Sequence, residues 1–589
     1  VTVVSVDATT RAAIEAGGNI TGGVITSPEV ALEAAGSVTN IDLDNNGVTL
    51  AVLAGGDIEI DGTSGDLTVG AVDGVDQGLS GVITAKGDVT LDAAANLHVN
   101  ADITAGGGTA DLSALGGSIT TVDGAVVTAG FVNVDATKSI DLNTDAGTVE
   151  AFFSATGVAT IDEADTVTIQ NTTGGTLDVT ILEDGDILDG GGNNVDTLYA
   201  ETQNGDITYV DADNLIAMDV RAQGTGQNVT LTAGGSLDVR YVEAAGDTVN
   251  LNASGDIWDS TGTGTRDVFA GILVVDTSAN GDVNLDTEVH TAHAAGANVV
   301  NNVTIREETD LTVGANGFDT ANSGSIVITT TDGDILTVGV LDADGPGTIT
   351  LTTNGPDRSI ILGNDVTGNS GSIMLHASGG VNQTGGTVTT DVGVEVTAGG
   401  AVSLAQAGNA MTEIAVDTTG TVAIDDDAAT GLTVGTVNGV SGIDSNGYNI
   451  DINTAGNLSV DQFINAGSLG DVTINTIGWV VGSGLITGDI IDVTSTTGID
   501  IDTKGDIIDA DGGTGNVVIE EFDGVTLRDI DAGKSVDVTL LNAGDIIVNE
   551  IDAGSNVSLH LPNGSVQNDG DSTTDIAAGS ALIIDNDAG

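Results

Sequence analysis

Short runs of alternating apolar and polar residues follow one another along the chain, and a glycine-containing turn precedes each run. The recurring pattern is Gly, then Asp, Ser or Asn, then Ile, Val or Leu, then a mostly polar residue and another aliphatic one. Such alternation predicts a short β-strand with one buried face. Copies of the pattern occupy residues 56–60, 65–69, 87–91, 235–239, 281–285, 324–328, 371–375, 470–474 and 544–548.

The runs recur with a regular period. The first apolar residues after three successive turns, Ile207, Val229 and Val249, are 22 and 20 residues apart, and Val402 and Val422 are 20 apart. In several repeats a second strand begins 8 to 10 residues after the first. Because so small a unit cannot cover its own apolar face, we expect each copy to stack on the next.

This periodicity predicts an all-β fold, an elongated, right-handed parallel β-solenoid with about 20–23 residues per coil. An array of antiparallel sandwiches is the alternative, and it would have longer strands joined by hairpin turns. In a solenoid, Glu59, Thr90 and Thr473 should face solvent, while aliphatic residues stack inward. The residues predicted to point inward are Ile58, Ile60, Val89, Leu91, Ile326, Ile328, Val472, Ile474, Val557 and Leu559.

The repeat extends over the whole sequence. Dividing 589 residues by a period near 21 gives about 28 coils and a rod on the order of 130 Å long. We predict a single solenoid over residues 1–589, forming a segment of a larger chain, with less regular stretches at 151–200 and 258–319. Residues 8–16 fit either about two helical turns or a loop.

Charge and composition narrow the range of partners. With 11 basic and 87 acidic residues the net charge is −76, which excludes nucleic acid and anionic lipid surfaces as partners. No apolar run reaches the roughly 18 residues of a membrane-spanning helix, so no membrane span is predicted. Aromatic residues make up only 2% of the chain and cysteine is absent, so the core must be aliphatic.

Acidic turns are the candidate metal sites, and calcium is the one cofactor that they suggest; solvated carboxylates are the alternative. Asp42, Asp44 and Asn46 provide oxygen ligands at alternate positions before a glycine, as in the first half of a calcium loop. Leu53 stands where that loop requires a bidentate Glu. Two looser candidate pairs are Asp184 with Asp186, and Asp509 with Asp511.

Catalytic groups are harder to assemble from this sequence. A polysaccharide lyase or glycosidase on a β-helix is the alternative function, but a lyase needs clustered basic residues and the 11 here are spread along the chain. A glycosidase needs two facing carboxylates, whereas Asp426 and Asp427 would point to opposite faces of a strand. His290 and His293 would likewise diverge at the surface. We therefore predict that the chain is not an enzyme.

Residues 85–93 (Ala-Lys-Gly-Asp-Val-Thr-Leu-Asp-Ala) and 232–239 (Thr-Ala-Gly-Gly-Ser-Leu-Asp-Val) resemble the repeat shafts of filamentous-haemagglutinin-like exoproteins and related giant bacterial surface adhesins. The resemblance lies in composition and period and covers most of the chain. It implies a right-handed parallel β-helix, export across the outer membrane, and a role in adhesion or surface coating. The secretion domain of that family is not recognisable in this sequence.

Together these features predict a non-enzymatic, extracellular structural or adhesive protein. It would form a rod, filament or surface-layer component of a bacterial cell. The expected partners are flanking repeats of the same chain or further copies of it, because open strand edges template additional strands. Cell-surface glycans are a further candidate partner. At the turns we expect stacked Asn side chains to join neighbouring coils.

Overall fold

The computed structural model describes residues 1–73, 78–262, 264–277, 281–296, 299–321, 323–570 and 574–586. Every regular element in these ranges is a β-strand, so they contain no helix that could cross a lipid bilayer. The strands stack in parallel as the coils of a β-solenoid, about 27 in all. The predicted fold class is confirmed, and the antiparallel sandwich alternative is wrong.

The chain divides into two compact units, and each is described by itself. Unit 1 comprises Val1–Gly281 and Leu285–Glu288, and unit 2 comprises Asp282–Asn284 and Val289–Gly589. The strand Val283–Ala294 contains residues of both.

The other strands of unit 1 have between two and thirteen residues. They are Ser5–Asp7, Ala12–Ala16, Ile20–Thr21, Val24–Thr26, Glu29–Ala34, Val38–Leu43, Val48–Ala54, Ile58–Gly62, Leu67–Val69, Ala71–Val72, Leu79–Ser80, Val82–Thr84, Val89–Ala93, Leu97–Val99, Ile103–Thr104, Thr109–Ala114, Ile119–Thr121, Val127–Ala136, Ile140–Phe152, Val158–Glu163, Val167–Gln170, Thr173–Ile181, Ile187–Gly191, Asn194–Thr202, Ile207–Asp211, Leu215–Ala222, Val229–Ala233, Leu237–Val239, Val242–Ala253, Ile257–Trp258 and Val268–Thr277.

The strands of unit 2 have between two and sixteen residues. They are Val299–Val300, Val303–Glu307, Leu311–Val313, Phe318–Thr320, Ile326–Thr330, Ile335–Thr337, Leu341–Asp342, Ile349–Thr353, Ile360–Leu362, Val366–Thr367, Ile373–Ala377, Val381–Gln383, Val388–Thr390, Val394–Ala398, Val402–Leu404, Ala410–Met411, Glu413–Thr418, Val422–Asp426, Leu432–Val434, Thr436–Val437, Val440–Ser441, Ile443–Asp444, Ile450–Thr454, Leu458–Val460, Ile464–Asn465, Val472–Thr476, Val480–Ser495, Ile499–Asp511, Val517–Glu521, Val525–Ala532, Val536–Leu540, Ile546–Val548, Ile551–Ala553, Asn556–Leu561, Val566–Asn568, Ile576–Ala578 and Ala581–Asn586.

The core of each unit consists of aliphatic side chains stacked in register from coil to coil. Val89 lies opposite Ile58, and Leu91 lies opposite Ile60. All ten residues predicted to point inward are at most 1% exposed. Each such side chain contributes about 1.5–3 kcal/mol by leaving water, so the coils bind one another through this ladder.

The period found in the sequence corresponds to the register of the strands. Ile207 pairs with Val229, and Val229 pairs with Val249. The length of a coil varies more widely than predicted, because paired residues lie between 17 and 31 positions apart, as Ile491 and Ile508, and Ile58 and Val89, show. Both alternatives predicted for residues 8–16, helical turns and a loop, are wrong over Ala12–Ala16, which is a strand.

The polar residue that follows the glycine of the repeat motif accepts a hydrogen bond from a backbone N–H of the following coil, and we call this contact a cap. Asp186 Oδ1 accepts the backbone N–H of Asp206 at 2.8 Å, and Asp206 Oδ1 accepts that of Asn228 at 2.7 Å. In the same way Asn302 accepts from Ser325 at 3.0 Å. Asp, Asn and Ser therefore recur after the turn glycine because each carries an acceptor that satisfies a turn N–H in the next coil. At Asn302 the contact between coils thus runs from side chain to backbone.

In the part of the chain that the structure describes, two antiparallel hairpins interrupt the coils and fold back over earlier ones. In unit 1, Ala71–Val72 pairs with Leu79–Ser80, and Val72 is buried against Ala31 and Ala51. In unit 2, Thr436–Val437 pairs with Val440–Ser441 across Asn438 and Gly439. Both turn residues have positive φ, 48° and 100°, which only Asn and Gly adopt at low cost.

Candidate functional site

The predicted calcium ligands at residues 42–46 lie at a turn between strands. Asp42 is half-buried on the outer face of Val38–Leu43, whereas Asp44 and Asn46 are exposed in the turn that follows. Asp44 accepts a hydrogen bond from Ser64 Oγ at 3.2 Å. Asp42 aligns with Asp61 in the next coil. Burial, and after it the charge of Asp42, raises the pKa of Asp61.

The pair Asp184 and Asp186 takes part in joining coils. Asp184 Oδ1 accepts from Asn204 Nδ2 at 2.6 Å, and Asp186 caps the backbone of Asp206 as described above. Each carboxylate therefore has a partner within the fold. Their predicted role as calcium ligands stays a prediction.

Asp509 and Asp511 belong to two neighbouring rows of outward carboxylates. Asp509 pairs in register with Asp492 and Asp529, and Asp511 pairs with Asp531, which in turn pairs with Asp552. Arg528 Nε donates to both oxygens of Asp509, at 2.9 and 2.8 Å. Like charges stacked in register repel one another. Burial and the neighbouring carboxylates accordingly raise the pKa of Asp531. We call Asp511, Asp531 and Asp552 the carboxylate row.

A different set of carboxylates converges closely enough to hold a metal ion. Oxygens of Asp145, Glu163 and Asp165 lie within 4.8 Å of one another. Glu163 is fully buried and accepts from the Thr144 hydroxyl at 2.5 Å and from the N–H groups of Ala146 and Ala164 at 3.0 Å. Those bonds already satisfy its carboxylate, and none of the predicted calcium ligands belongs to this group.

Several acids at the ends of strands point into the solenoid, Glu307 among them, and the sequence analysis missed them. Four others are Glu163, Asp211, Asp426 and Glu521, which are at most 1% exposed; Asp211 follows Tyr209 by two positions, and the other three follow an isoleucine. Each accepts a backbone N–H from 15 to 17 residues earlier, for example Met411 N–H on Asp426 Oδ1 at 2.8 Å. Each carboxylate thus satisfies a buried backbone N–H of the preceding coil.

Asp426 is the most strongly perturbed of these acids. Burial, followed by the charges of Asp427 and Asp425, raises the pKa of Asp426 to about 6. Its Oδ2 has no hydrogen-bond partner among the described residues. Asp427 is exposed, so the two carboxylates do point to opposite faces, as predicted. They cannot act as a facing catalytic pair.

His290 and His293 lie on the outer surface of the strand Val283–Ala294. His290 is exposed, and His293 Nδ1 lies 2.7 Å from the carbonyl oxygen of Ala294. The prediction that both histidines are surface residues is confirmed.

Unit 1 brings two arginines that are distant in sequence, Arg221 and Arg266, to the same tyrosine, Tyr241. The Arg221 guanidinium lies 4.9 Å from the ring centre of Tyr241, and Arg266 lies 4.6 Å from that of Phe269. Tyr241 donates its hydroxyl to Glu243 at 2.8 Å. Burial and this hydrogen bond raise the pKa of Tyr241.

Beside this cluster lies a pocket of about 210 Å³, which we call the tyrosine pocket. Its floor is formed by two outward rows that cross three adjacent strands in register. One row is Asp178, Tyr199 and Asp219, and the other is Thr180, Glu201 and Arg221. No local sequence pattern indicates this pocket, because its residues are about 20 positions apart and meet only through the register of the coils.

A second, shallower groove of about 310 Å³ lies on unit 2. Asp425, Asn453, Asn475 and Thr494 align along it, and Asn475 Nδ2 donates to Asn453 Oδ1 at 3.1 Å. This contact joins two Asn side chains of neighbouring coils, but it lies on strands, whereas the Asn stacks were expected at turns.

Comparison with known proteins assigns no role to these sites. No protein-family model, no curated protein and no solved structure matches the chain.

Proposed function

We propose that this chain is a non-enzymatic structural and adhesive component of a bacterial cell surface, located outside the cell in a filament or surface layer. The observation that carries the proposal is the continuity of the repeat. Within each unit, backbone register, aliphatic ladders and side-chain caps all serve to join one coil to the next. A sequence devoted to its own stacking suits a structural element, whose core grows with every coil.

We further propose that the chain is a repeat shaft of a bacterial exoprotein. The glycine turns, the period and the parallel coils are all typical of the repeat shafts of filamentous-haemagglutinin-like exoproteins. In that setting flanking repeats of the same chain, or further copies of it, would continue the stack.

A polysaccharide-active enzyme is the rival, and one observation favours it: Arg221 and Arg266 lie beside Tyr241, a combination that a lyase could use. Three features of these side chains argue against catalysis. Arg221 is held by Asp219 in two hydrogen bonds of 2.5 and 2.9 Å, and Arg266 is paired with Glu288. Because its pKa is raised, the Tyr241 hydroxyl stays protonated at neutral pH and cannot act as a general base.

Two experiments test this function. Immunogold electron microscopy of the native source should place the chain on filaments or on a layer outside the cell. Incubation of the purified chain with neutral and uronate polysaccharides should release no reducing ends. Cytoplasmic labelling would contradict the structural role. Depolymerisation that is abolished by Asp178→Asn or Tyr241→Phe would replace it with catalysis.

A further inference from the structure

The tyrosine pocket combines chemical groups that are rare in this protein. Aromatic residues make up 2% of the chain and basic residues number 11 of 589. Yet Tyr199 lies at the centre of the pocket floor and Arg221 lies at its edge. The guanidinium of Arg221 also packs over the ring of Tyr241. Stacking of the coils needs none of these side chains, because the inward positions of the same strands are filled by aliphatic residues such as Leu198.

Hydrogen bonds hold the polar groups of the pocket in place before any ligand arrives. Arg221 donates to both oxygens of Asp219. Glu201 Oε1 accepts from the side-chain amides of Gln223 at 2.6 Å and Gln203 at 3.3 Å. Side chains that are already ordered lose little entropy when a ligand binds, which favours recognition at this place.

The charges of the pocket exclude two classes of ligand. An anion would meet Asp178, Glu201 and Asp219 in a chain of net charge −76, and Arg221, the cation that lines the pocket, is already neutralised by Asp219. A metal ion would require oxygens that converge, and among the described residues the group that does so is Asp145, Glu163 and Asp165, which lies outside this pocket. Arg221 would also repel it.

The remaining chemistry fits an uncharged, hydroxyl-rich ligand. Carboxylates accept hydrogen bonds from hydroxyls, the guanidinium donates to them, and a tyrosine ring offers an apolar surface to the C–H face of a sugar. A pocket of about 210 Å³ is smaller than those that hold drug-sized molecules, so it suits one sugar ring. We propose that the tyrosine pocket binds a single residue of a neutral polysaccharide. The proposal goes beyond the structural role and does not depend on it.

Titration calorimetry of the 589-residue chain with neutral hexasaccharides, namely a glucan, a mannan and a galactan, tests this inference. At least one should bind. Tyr199→Ala should weaken that binding by roughly tenfold or more, because it removes the ring at the centre of the pocket. The matched control is Tyr448→Ala, which removes an exposed tyrosine of unit 2 and should leave binding unchanged. Circular dichroism of both variants verifies folding, which an outward substitution should preserve.

Three results would overturn the proposal. One is failure of every neutral hexasaccharide to bind at millimolar concentration. Another is binding that Tyr199→Ala leaves intact. The third is tighter binding of a uronate hexamer, which would reveal an anion site, or of a glucosamine hexamer, which would reveal an ammonium site. None of these outcomes bears on whether the chain is a structural protein.

Discussion

Residues 326–398 of unit 2 and residues 173–222 of unit 1 share one backbone plan but differ in surface chemistry. In both, aliphatic residues such as Ile326 and Leu198 are fully buried and stacked in register. On the outer face the unit 2 segment carries mostly short polar or aliphatic side chains, among them Val327 and Thr350, whereas the unit 1 segment carries Tyr199 and Arg221. The plan of the coil leaves its outer face free to vary. Rare residues that gather on that face therefore carry information about function.

The largest effect should come from placing a charge in the shared core. Ile326→Asp buries an unpaired carboxylate among aliphatic residues and should reduce the free energy of unfolding by roughly 4 kcal/mol or more. Val327→Asp, on the outer face of the same strand, is the matched control and should cost less than about 1 kcal/mol. Urea denaturation of both variants measures the difference. Equal losses would mean that the two faces of the strand are not distinct.

The buried acids should make the protein more stable at mildly acidic pH. Since the pKa of Asp426 is raised from 3.8 to about 6, the folded state binds its proton more tightly than the unfolded state does. Its contribution to stability is complete below pH 4 and is lost as the pH rises towards 6 and beyond, a difference of roughly 3 kcal/mol.

Asp426→Asn, which cannot ionise, should flatten the dependence of stability on pH between pH 4 and 7. Asp427→Asn, at the exposed neighbour, should not. Denaturation midpoints across that range test this. Stability that falls steadily as the pH drops from 7 to 5 would contradict the burial of these acids.

The caps between coils should each contribute less to the free energy of unfolding than the buried acid Asp426 does. Asp206→Ala leaves the N–H of Asn228 without its acceptor and should cost about 1 kcal/mol. Asp206→Asn keeps the acceptor oxygen and should be close to the wild type in thermal unfolding. If both variants lose the same stability, the charge of Asp206 matters and its hydrogen bond does not.

Calcium should have the smallest effect on the stability of the protein. The carboxylate row holds three exposed aspartates in register, and we expect millimolar Ca²⁺ to relieve their repulsion and raise the melting temperature above that in NaCl of equal ionic strength. The gain should be below about 1 kcal/mol, because the groups are exposed. Asp531→Asn should reduce it. Identical melting curves in the two salts would leave these carboxylates merely solvated.

The sequence predicted the fold well because period and burial are linked directly. Alternation placed Ile58 and Val89 inside, and spacing paired them across coils. The same alternation also places Asp426 inside, against the preference of carboxylates for water. Its hydrogen bond with Met411 offsets that preference. The pattern Val-Ala-Ile-Asp-Asp at 422–426 was the available signal.

Other features were harder to predict. Asn438-Gly439 between two valines is a strong hairpin signal, but in a chain with 87 glycines it resembles any other turn. The tyrosine pocket depends on which residues meet across coils. Because coils vary from 17 to 31 residues, the positions of Tyr199 and Arg221 could not be aligned from an average period.

The central claim is that each coil is held mainly by its immediate neighbours. Hydrogen–deuterium exchange of Ile326→Asp, compared with Val327→Asp, tests it most directly. We predict that Ile326→Asp removes protection in the strand Ile326–Thr330 and in its partners, Val303–Glu307 and Ile349–Thr353, while strands such as Val472–Thr476 stay protected. Loss of protection in every strand of unit 2 at once would contradict the claim.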